Sequence, residues 1–332
     1  MVTIKEIAKM SGFSVTTVSL VLSGHAHERK ISQKTRDKIT NVANDLGYRV
    51  NIAARRLRTN QTSSLMISVF MVMDQRAQFM LQFLMNLQDI AEIGGQPFEI
   101  VVHFYRSDFL HDFAETIRFT NCAIICNASE RDLRFLDEAQ FSVPFVLFYR
   151  ASQKYSSVNI NWHHVGELAA SIFARRGRKR AALLSPNKYF HGLEQCGEQF
   201  LSTASQNGMS TVCVQEPYDA RGGYHGGLRI CGHDPLPDCV FTVSGAMANG
   251  MLRAFSKQDI KVPEQIELIC MGSDDNNLYE FANVAISTIS VSVRALAEEC
   301  MKLLFLQLDG KIDEPLAIEV PVSYVRRESC GE

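Results

Sequence analysis

The stretch TIKEIAKMSGFSVTTVSLVLSG, residues 3–24, decides the fold of the amino-terminal part of the chain. Thr3 and Glu6 have the spacing of a capping box, which predicts the start of a first helix. Gly12 is placed to end that helix in a left-handed conformation, and Ser14 can cap a second helix directly after it. Two helices joined by so short a turn predict a helix-turn-helix, whose second helix enters the major groove of DNA.

The second helix, residues 15–23, has two different faces when its residues are placed 100° apart. An apolar face suited to packing carries Val18, Val21 and Leu22, and the opposite face carries Thr16, Ser19 and Leu20. A third helix is predicted to begin after a hydrophobic staple and cap at residues 31–32 and to end at Gly47. Apolar residues recur there at helical spacing: Ile39, Val42, Ala43 and Leu46.

The charge of the chain is divided unevenly along its length. Residues 1–60 contain eleven Lys and Arg against four Asp and Glu, a net charge of +7. The whole chain carries −2, so residues 61–332 carry −9. A basic head on an acidic body favours a module that binds a polyanion, attached to a domain that does not. The alternative is a small helical bundle that packs on the body and exposes a solvated charged face.

Residues 51–58, NIAARRLR, follow the head as a short helix-forming stretch. Such a stretch is too short to be stable alone and should order only when packed or bound. Three arginines around Leu57 suit a minor-groove wedge, in which cations meet the phosphates and the leucine separates a base step. Ordinary packing of Leu57 is the alternative.

The composition is that of a globular protein, with 332 residues, 46% hydrophobic and 21% charged. That length allows two or three domains with well-buried cores. No signal peptide and no membrane-length apolar run is visible, which predicts a cytoplasmic protein. The nine cysteines are scattered, and Cys122 and Cys126 would lie about 13 Å apart on a strand. We therefore expect free buried thiols and no metal site.

From residue 64 onward, apolar runs alternate with amphipathic segments of helical length, which predicts parallel sheets with helices on both faces. Ligands of such sheets bind beyond the carboxyl ends of the strands. The predicted strands are Leu65–Met73, Phe98–Phe104, Ala123–Cys126, Phe145–Phe148, Ala181–Leu184, Thr211–Val214, Cys239–Thr242 and Ile266–Met271.

Several of these segments together resemble the LacI/GalR family of bacterial transcription regulators. They are Thr3–Gly24, Leu46–Arg49 (LGYR), Ala53–Arg58 (AARRLR), Val262–Glu264 (VPE), Met271–Asp275 (MGSDD) and Val325–Ser329 (VRRES). The resemblance spans essentially the whole chain. It implies a homodimer that binds a near-palindromic operator in double-stranded DNA, most often as a repressor. Because no leucine heptads follow the last strand, we expect a dimer and no tetramer.

The resemblance also implies which residues contact DNA: Thr3, Val15, Thr16, Ser19, Leu20, Arg55, Leu57 and Arg58. Two positions depart from the family pattern. Leu20 stands where most members have an arginine that reads guanine, so apolar contact with a thymine methyl is the expected substitute. Val50 replaces a proline that commonly precedes the hinge helix.

Three domains follow from the resemblance: a head, 1–49; a hinge helix and linker, 50–61; and a periplasmic-binding-protein-like core, 62–332. The core divides into two lobes of doubly wound parallel sheet. Lobe one is expected at 62–160 plus 291–318, and lobe two at 161–290 plus 319–329. The chain then crosses between the lobes three times, so closing the cleft between them reorients both.

In the cleft, the resemblance places six effector-binding positions: Tyr149, Arg150, Glu194, Tyr218, Ser244 and Asp274. Glu194 replaces an arginine that usually binds effector oxygens, which disfavours an anionic effector anchored there. A sugar or related polyol, neutral or cationic, is expected, or no small molecule at all. Glu194 as a solvated helix residue and Tyr218 as plain packing are the alternatives.

An enzyme is the rival class, because doubly wound sheets also serve dehydrogenases. Residues 73–76 lack the Gly-x-Gly-x-x-Gly pattern after the first strand, and the glycines of residues 222–227 have the wrong spacing. A nucleophile elbow and a two-histidine metal motif are also missing. We expect no catalytic residues, no cofactor and no membrane association. A core that senses a protein partner stays open as an alternative.

Overall fold

The computed structural model describes residues 4–22, 31–46, 65–72, 74, 76–93, 98–187, 192–273, 279–312 and 314–331. The described helices are α1 Ile4–Ser11, α2 Val15–Leu22, α3 Gln33–Asp45, α4 Ala77–Ile93, α5 Ala114–Phe119, α6 Glu130–Ala139, α7 Trp162–Arg175, α8 Leu193–Gln206, α9 Ala220–Cys231, α10 Gly245–Lys257 and α11 Val293–Leu308. The strands are β1 Leu65–Val72, β2 Phe98–Tyr105, β3 Cys122–Cys126, β4 Phe145–Phe148, β5 Ser157–Asn159, β6 Arg180–Pro186, β7 Ser210–Glu216, β8 Cys239–Thr242, β9 Glu267–Ser273, β10 Ser287–Val291, β11 Ala317–Glu319 and β12 Val322–Val325.

The head is a three-helix unit around a small apolar core. Ile7 of α1, Val18 of α2 and Ile39 of α3 are fully buried against one another. Gly12 has a φ of +76°, and its N–H donates to the carbonyl of Ala8 at 3.0 Å. A residue with a side chain is strained at such a φ, so this glycine makes the sharp turn between α1 and α2 possible.

Short polar side chains start the second and third helices of the head, as the sequence predicts. The Ser14 Oγ accepts a hydrogen bond from the Thr17 N–H at 3.1 Å, and the Ser32 Oγ accepts one from the Thr35 N–H at 3.3 Å. Each cap satisfies one of the N–H groups that the first turn of a helix leaves unpaired. The predicted cap at Thr3 lies outside the described residues.

The core contains two six-stranded sheets with helices packed on them. Sheet one has the order β11-β5-β4-β3-β1-β2 and is wholly parallel. Sheet two has the order β12-β10-β9-β8-β6-β7. In sheet two β12 is antiparallel to β10, whereas its other pairs are parallel. We call sheet one with its helices lobe one, and sheet two with its helices lobe two.

The chain passes between the sheets three times, after β5, after β10 and after β11. Helix α7 follows the first passage and packs on α8 and on strands of sheet two. Helix α11 follows the second passage and packs on α4 and on strands of sheet one. The two lobes are therefore joined by three connections, which restricts their relative motion to a coordinated change of angle.

All eight predicted strands are present, and Phe145–Phe148 and Cys239–Thr242 have the predicted bounds. Four strands were not predicted: β5, β10, β11 and β12. They are short, and β10 buries hydroxyl side chains where a hydrophobic run would be expected. The antiparallel β12 also differs from the expectation of purely parallel sheets. It sits at the edge of sheet two, where only one neighbour constrains its direction.

A cluster of charged groups around a buried glutamate connects the sheet of lobe two with the carboxyl-terminal segment. Glu267 at the start of β9 is fully buried and accepts hydrogen bonds from Arg176 at 2.9 Å and Arg178 at 2.5 Å. The Sγ of Cys330 donates to the second oxygen of the same carboxylate at 3.7 Å. Burial alone would raise the pKa of Glu267, but the two guanidinium groups outweigh it and hold that pKa below its ordinary value.

Candidate functional site

Helix α2 of the head presents the two faces that its sequence predicts. Val18 and Val21 are buried in the head core. Val15 is 43% exposed and Thr16 is also exposed, whereas Ser19 and Leu20 are half-buried on the same open side. An exposed valine at the start of a helix, beside a threonine, is the kind of surface that contacts base edges in a groove.

Cations lie around this helix on both of its neighbours. Lys5 and Lys9 are exposed on α1, and Lys34 and Lys38 are exposed on α3. The ammonium group of Lys38 lies 5.5 Å from the ring of Phe13, which follows the turn. The two helices that pack against α2 therefore both carry exposed positive charge, which suits contacts with the phosphates of a duplex.

Other predicted DNA-contacting residues lie outside the described part of the chain: Thr3, Arg55, Leu57 and Arg58. The same is true of the predicted hinge, residues 50–61. Their roles stay predictions from the sequence.

A cleft of about 330 Å³ lies between the two lobes. It is lined by residues that follow the carboxyl ends of β1, β4, β7, β8 and β9, together with the starts of α4, α7 and α8. This is the position at which open α/β sheets bind ligands. The described lining comprises Arg76, Gln78, Phe79, Gln82, Tyr149, Trp162, Leu193, Tyr218, Ala220, Val243, Ser244, Gly245, Ala246, Asn249, Met271, Gly272, Ser273 and Tyr279.

On the lobe-one side, the cleft is bordered by a stack of aromatic rings. Phe83 and Phe148 lie 4.1 Å apart between centroids, and Phe148 lies 4.6 Å from Tyr149. Phe79 stacks on Tyr149 at 5.2 Å with an angle of only 9° between the ring planes. Phe83 and Phe148 are fully buried, whereas Phe79 is half-buried and lines the cleft. Phe79 is therefore the ring of the stack most accessible to a ligand.

Two tyrosines line the cleft from opposite lobes. The Tyr218 hydroxyl donates to the carbonyl of Val243 at 3.4 Å. The Tyr149 hydroxyl is buried, and no hydrogen-bond partner for it is found among the described residues. Burial, and after it the neighbouring Tyr218, raises the pKa of Tyr149. Burial also raises the pKa of Tyr218. Both side chains therefore stay protonated at neutral pH and can donate hydrogen bonds.

Several polar groups of the cleft already have protein partners. Arg76 is paired with the Asp74 carboxylate through Nε at 3.0 Å and donates to Asn127 at 2.6 Å. The Trp162 indole N–H donates to the Oδ1 of Asn159 at 3.1 Å. The Asp74 carboxylate neutralises Arg76, and the bond to Asn159 fixes the orientation of the indole.

A hydrogen bond between two side chains far apart in the sequence crosses from lobe to lobe. The Ser273 Oγ, at the end of β9, donates to the Oε1 of Gln82 on α4 at 3.1 Å. Because the two side chains belong to different lobes, their contact depends on the angle between the lobes.

Two aromatic rings of the cleft lie directly against glycines. A Cβ on Gly192 would lie 2.3 Å from Trp162, and a Cβ on Gly245 would lie 2.4 Å from Tyr279. Gly192 also has a φ of +89°. Both rings therefore occupy positions that a larger residue at these glycines would block.

The structure brings three predicted effector residues into the cleft, namely Tyr149, Tyr218 and Ser244. Arg150 and Glu194 are not among the described residues that line it. The Arg150 side chain is buried and paired with Glu130. Glu194 is exposed, whereas its neighbour Leu193 lines the cleft, because adjacent residues of a helix point about 100° apart. Asp274 lies outside the described residues.

The sequence did not identify five residues that shape the site: Arg76, Phe79, Gln82, Trp162 and Tyr279. Phe79 and Phe83 are spaced four apart on α4, which could have indicated an aromatic face. The positions of the others depend on which strand ends meet, which no local pattern reveals.

Other kinds of site were also sought in the described part of the chain. It contains no group of three or more His, Cys, Asp or Glu residues that could hold a metal ion. None of its helices is long and apolar enough to cross a bilayer.

Comparisons with known proteins agree with both parts of this architecture. The family model "Bacterial regulatory proteins, lacI family" matches residues 3–51, and the model "Periplasmic binding protein-like domain" matches residues 170–330. Among curated proteins, the sucrose operon repressor of Klebsiella pneumoniae is 27% identical, with 97% of each chain covered. The transcriptional repressor PurR of Pasteurella multocida is 24% identical, covering 99% of this chain and 98% of that protein.

Solved structures share the fold. A LacI family regulator from Clostridium acetobutylicum superimposes with a TM-score of 0.76 at 24% identity, covering 80% of this chain and all of that one. The lac repressor dimer bound to operator and the anti-inducer ONPF superimposes with a TM-score of 0.70 at 19% identity. The match covers 100% of this chain and 99% of that one. With a helix-turn-helix head, a two-lobed core and these matches, the chain belongs to the LacI/GalR family of DNA-binding transcription regulators.

Proposed function

We propose that this protein is a homodimeric repressor that acts in the bacterial cytoplasm and binds a near-palindromic operator. Its affinity for the operator falls or rises when a small molecule binds in the cleft. The observation that carries the proposal is the cleft itself, which is lined from both lobes and crossed by the bond between Gln82 and Ser273. A ligand there touches both lobes, so its affinity depends on the lobe angle.

The head supplies the DNA contacts in this proposal. Val15, Thr16, Ser19 and Leu20 lie on the open side of α2, and the lysines of α1 and α3 flank it. The hinge, with Leu57 between arginines, enters the minor groove between the half-sites. Two heads held about one helical turn of DNA apart then read an inverted repeat.

Exposed apolar side chains support the dimer. Leu81 and Met85 are 58% and 60% exposed and lie one turn apart on the same side of α4. Phe104 on the edge strand β2 is also more than half exposed. Large apolar groups in such numbers on one lobe are typical of a protein interface. Replacement of Leu81 and Met85 by glutamate should give a monomer in analytical ultracentrifugation, whereas replacement of exposed Phe281 should not.

The effector is proposed to be a small molecule because the cleft is largely apolar and has a volume of about 330 Å³. The sequence suggests a sugar or related polyol, and two relatives point the same way: a repressor named for the sucrose operon and a regulator, CelR, solved with cellobiose. Sugars are therefore the first compounds to test as effectors.

The decisive experiment is selection of bound fragments from random DNA by the full-length protein. We expect an inverted repeat, with the strongest base preferences at positions reached by Val15 and Thr16. Alanine at both positions should abolish the preference while nonspecific binding remains. Affinity should fall steeply with salt, because phosphate contacts release counterions. Recovery of no inverted repeat would overturn the proposal, and Ser202→Ala on the outer surface of α8 is the matched control.

A further inference from the structure

Outside the cleft, two arginines of lobe one lie against the same phenylalanine ring. The guanidinium carbon of Arg106, in the loop after β2, lies 3.7 Å from the centroid of the Phe109 ring. The guanidinium carbon of Arg131, on α6, lies 5.8 Å from the same centroid. A guanidinium that stacks on a ring uses its face and keeps the N–H groups at its edge available for other partners. We call Arg106, Phe109 and Arg131 the arginine patch.

The positive charge of the arginine patch is not neutralised by nearby carboxylates. Arg106 and Arg131 are both exposed, and neither forms an ion pair with a carboxylate of the described residues. Glu130, beside Arg131 in the chain, pairs with Arg150 instead. Asp132, on its other side, is buried and accepts hydrogen bonds from the backbone. The patch therefore presents two uncompensated cations at the surface.

A buried carboxylate holds the patch in place. Asp132 is 1% exposed and accepts hydrogen bonds from the N–H groups of Asp108 at 3.3 Å and Leu110 at 3.1 Å. It also accepts hydrogen bonds from the N–H and hydroxyl of Ser129, the cap of α6. Asp108 has a φ of +74°, an uncommon conformation that the surrounding bonds stabilise. Because the loop after β2 and the first turn of α6 are fixed to each other, the patch is preorganised for a partner.

The arginine patch lies on the face of sheet one that α4 does not cover. Leu110 and Leu136, beside the patch, belong to the apolar cluster that packs α5 and α6 on one face of the sheet. Phe83 of α4 belongs to the cluster on the other face. The proposed dimer surface, centred on Leu81 and Met85 of α4, therefore leaves the patch open.

The position of the patch in lobe one argues against DNA as its partner. Strands β1 and β2 are parallel, with Leu65 opposite Phe98 at one end and Val72 opposite Tyr105 at the other. The predicted hinge joins the amino end of β1, whereas the patch follows the carboxyl end of β2, about 25 Å away along the sheet. A duplex at the patch would also meet the negative charge of the body, which is −9 over residues 61–332.

We propose that the arginine patch docks an acidic segment of a protein partner, whose carboxylates each accept two hydrogen bonds from one guanidinium group. Both guanidinium carbons lie within 6 Å of one ring centroid, so a single short segment reaches both. Carboxylates on alternate residues of an extended segment are about 7 Å apart, which suits this spacing. The surface is separate from the head and the cleft, and the proposal does not depend on the proposed function.

A peptide of alternating aspartate and glycine, carrying an uncharged fluorophore, tests the proposal by fluorescence anisotropy with the full-length protein. The basic head also attracts an acidic peptide, so an excess of an unrelated DNA duplex is added to occupy the head. Under these conditions the aspartate peptide should bind saturably, whereas the matching peptide of asparagine and glycine should not. Loss of all peptide binding on addition of the duplex would place that binding on the head and overturn the proposal.

Two pairs of substitutions locate the bound peptide. Arg106→Gln combined with Arg131→Gln should weaken binding by about tenfold or more, since two charge-assisted contacts are lost. Arg175→Gln combined with Arg253→Gln removes the same charge from exposed positions of lobe two and should leave the affinity nearly unchanged. Equal weakening by the two pairs would show that the peptide responds to net charge alone, and the docking site would be rejected.

Arg106→Lys combined with Arg131→Lys separates charge from geometry. Lysine keeps the positive charge but lacks the planar fork that binds a carboxylate through two hydrogen bonds. We expect binding about fivefold weaker than that of the unaltered protein, and equal affinity would contradict the paired contacts. A thymidine oligonucleotide with the same number of negative charges is the last comparison. If it binds more tightly than the peptide while the duplex occupies the head, the patch belongs to nucleic acid and the proposal fails.

Discussion

Ser273 of lobe two and Gln82 of lobe one are joined by a hydrogen bond of 3.1 Å across the cleft, from the serine Oγ to the Oε1 of the amide. The bond joins two lobes whose relative angle is the variable that the proposed function requires. It therefore provides a direct way to shift the balance between lobe arrangements without altering either the head or the aromatic stack.

Ser273→Ala should weaken the arrangement seen here by about 1 kcal/mol, or about fivefold in the equilibrium between lobe angles. A corresponding change should appear in operator affinity measured without ligand, and its sign reveals which arrangement binds DNA. Ser202→Ala, on the outer surface of α8, is the control. Equal operator affinity for Ser273→Ala and the unaltered protein would show that the bond does not report the regulatory state.

Gly192→Ala should disturb the cleft through Trp162. The added Cβ would lie 2.3 Å from the indole and would also meet an unfavourable φ of +89°. We expect a shifted tryptophan emission, a loss of effector response and a destabilisation of about 1 to 3 kcal/mol, with operator binding retained. Gly208→Ala is a matched control, because its φ is +75° but no atom lies within 4 Å of the added Cβ. An unchanged emission spectrum in Gly192→Ala would contradict the close packing of indole and glycine.

Glu267→Gln should remove a pH-dependent part of the stability. Because the arginines hold the pKa of Glu267 below its ordinary value, its contribution is present above the pKa of an unfolded glutamate. It is lost as the pH falls through the lower folded-state pKa. The variant should be about 3 kcal/mol less stable at neutral pH in urea unfolding. This difference should shrink as the solution becomes acidic.

Glu216→Gln provides the comparison for that experiment. Glu216 pairs with Arg229, whose side chain is 60% exposed, and pairs open to solvent contribute about 1 kcal/mol or less. Losses of equal size in the two variants would show that burial of Glu267 does not strengthen its contribution.

Leu20→Arg should change the base that the head prefers. Leu20 lies on the open side of α2, half-buried beside exposed Thr16. An arginine there can form a bidentate contact with guanine, worth about 1 to 3 kcal/mol of discrimination. Selection from random DNA should show one position in each half-site change towards guanine. An unaltered selected site would place Leu20 away from the bases.

Leu57→Ala tests the hinge, which lies outside the described residues. If Leu57 wedges into the minor groove, the variant should lose about 1 to 3 kcal/mol of specific binding. Nonspecific binding, measured on an unrelated duplex, should be nearly unchanged. An equal loss on both duplexes would refute the wedge.

Local patterns in the sequence determined the elements of this protein and their order. The cap at Ser14, the turn at Gly12 and the alternating faces of α2 follow from interactions within a few residues. Eight of the core strands could be predicted for the same reason, because buried parallel strands are continuous apolar runs. The short strand β10 was not predicted, since its serines and threonine are buried and distant Arg327 takes part in satisfying them: the Ser287 hydroxyl donates to its carbonyl, and its guanidinium donates to Thr288.

The tertiary structure alone decided which residues line the cleft. Phe79, Tyr149, Trp162 and Tyr279 are far apart in the chain and come together because parallel strands of two sheets end at one opening. The same folding turned Glu194 outward and paired Arg150 with Glu130, although both follow positions that line the site. A sequence specifies which residues follow a strand, but the direction of each side chain depends on the packing of elements hundreds of residues apart.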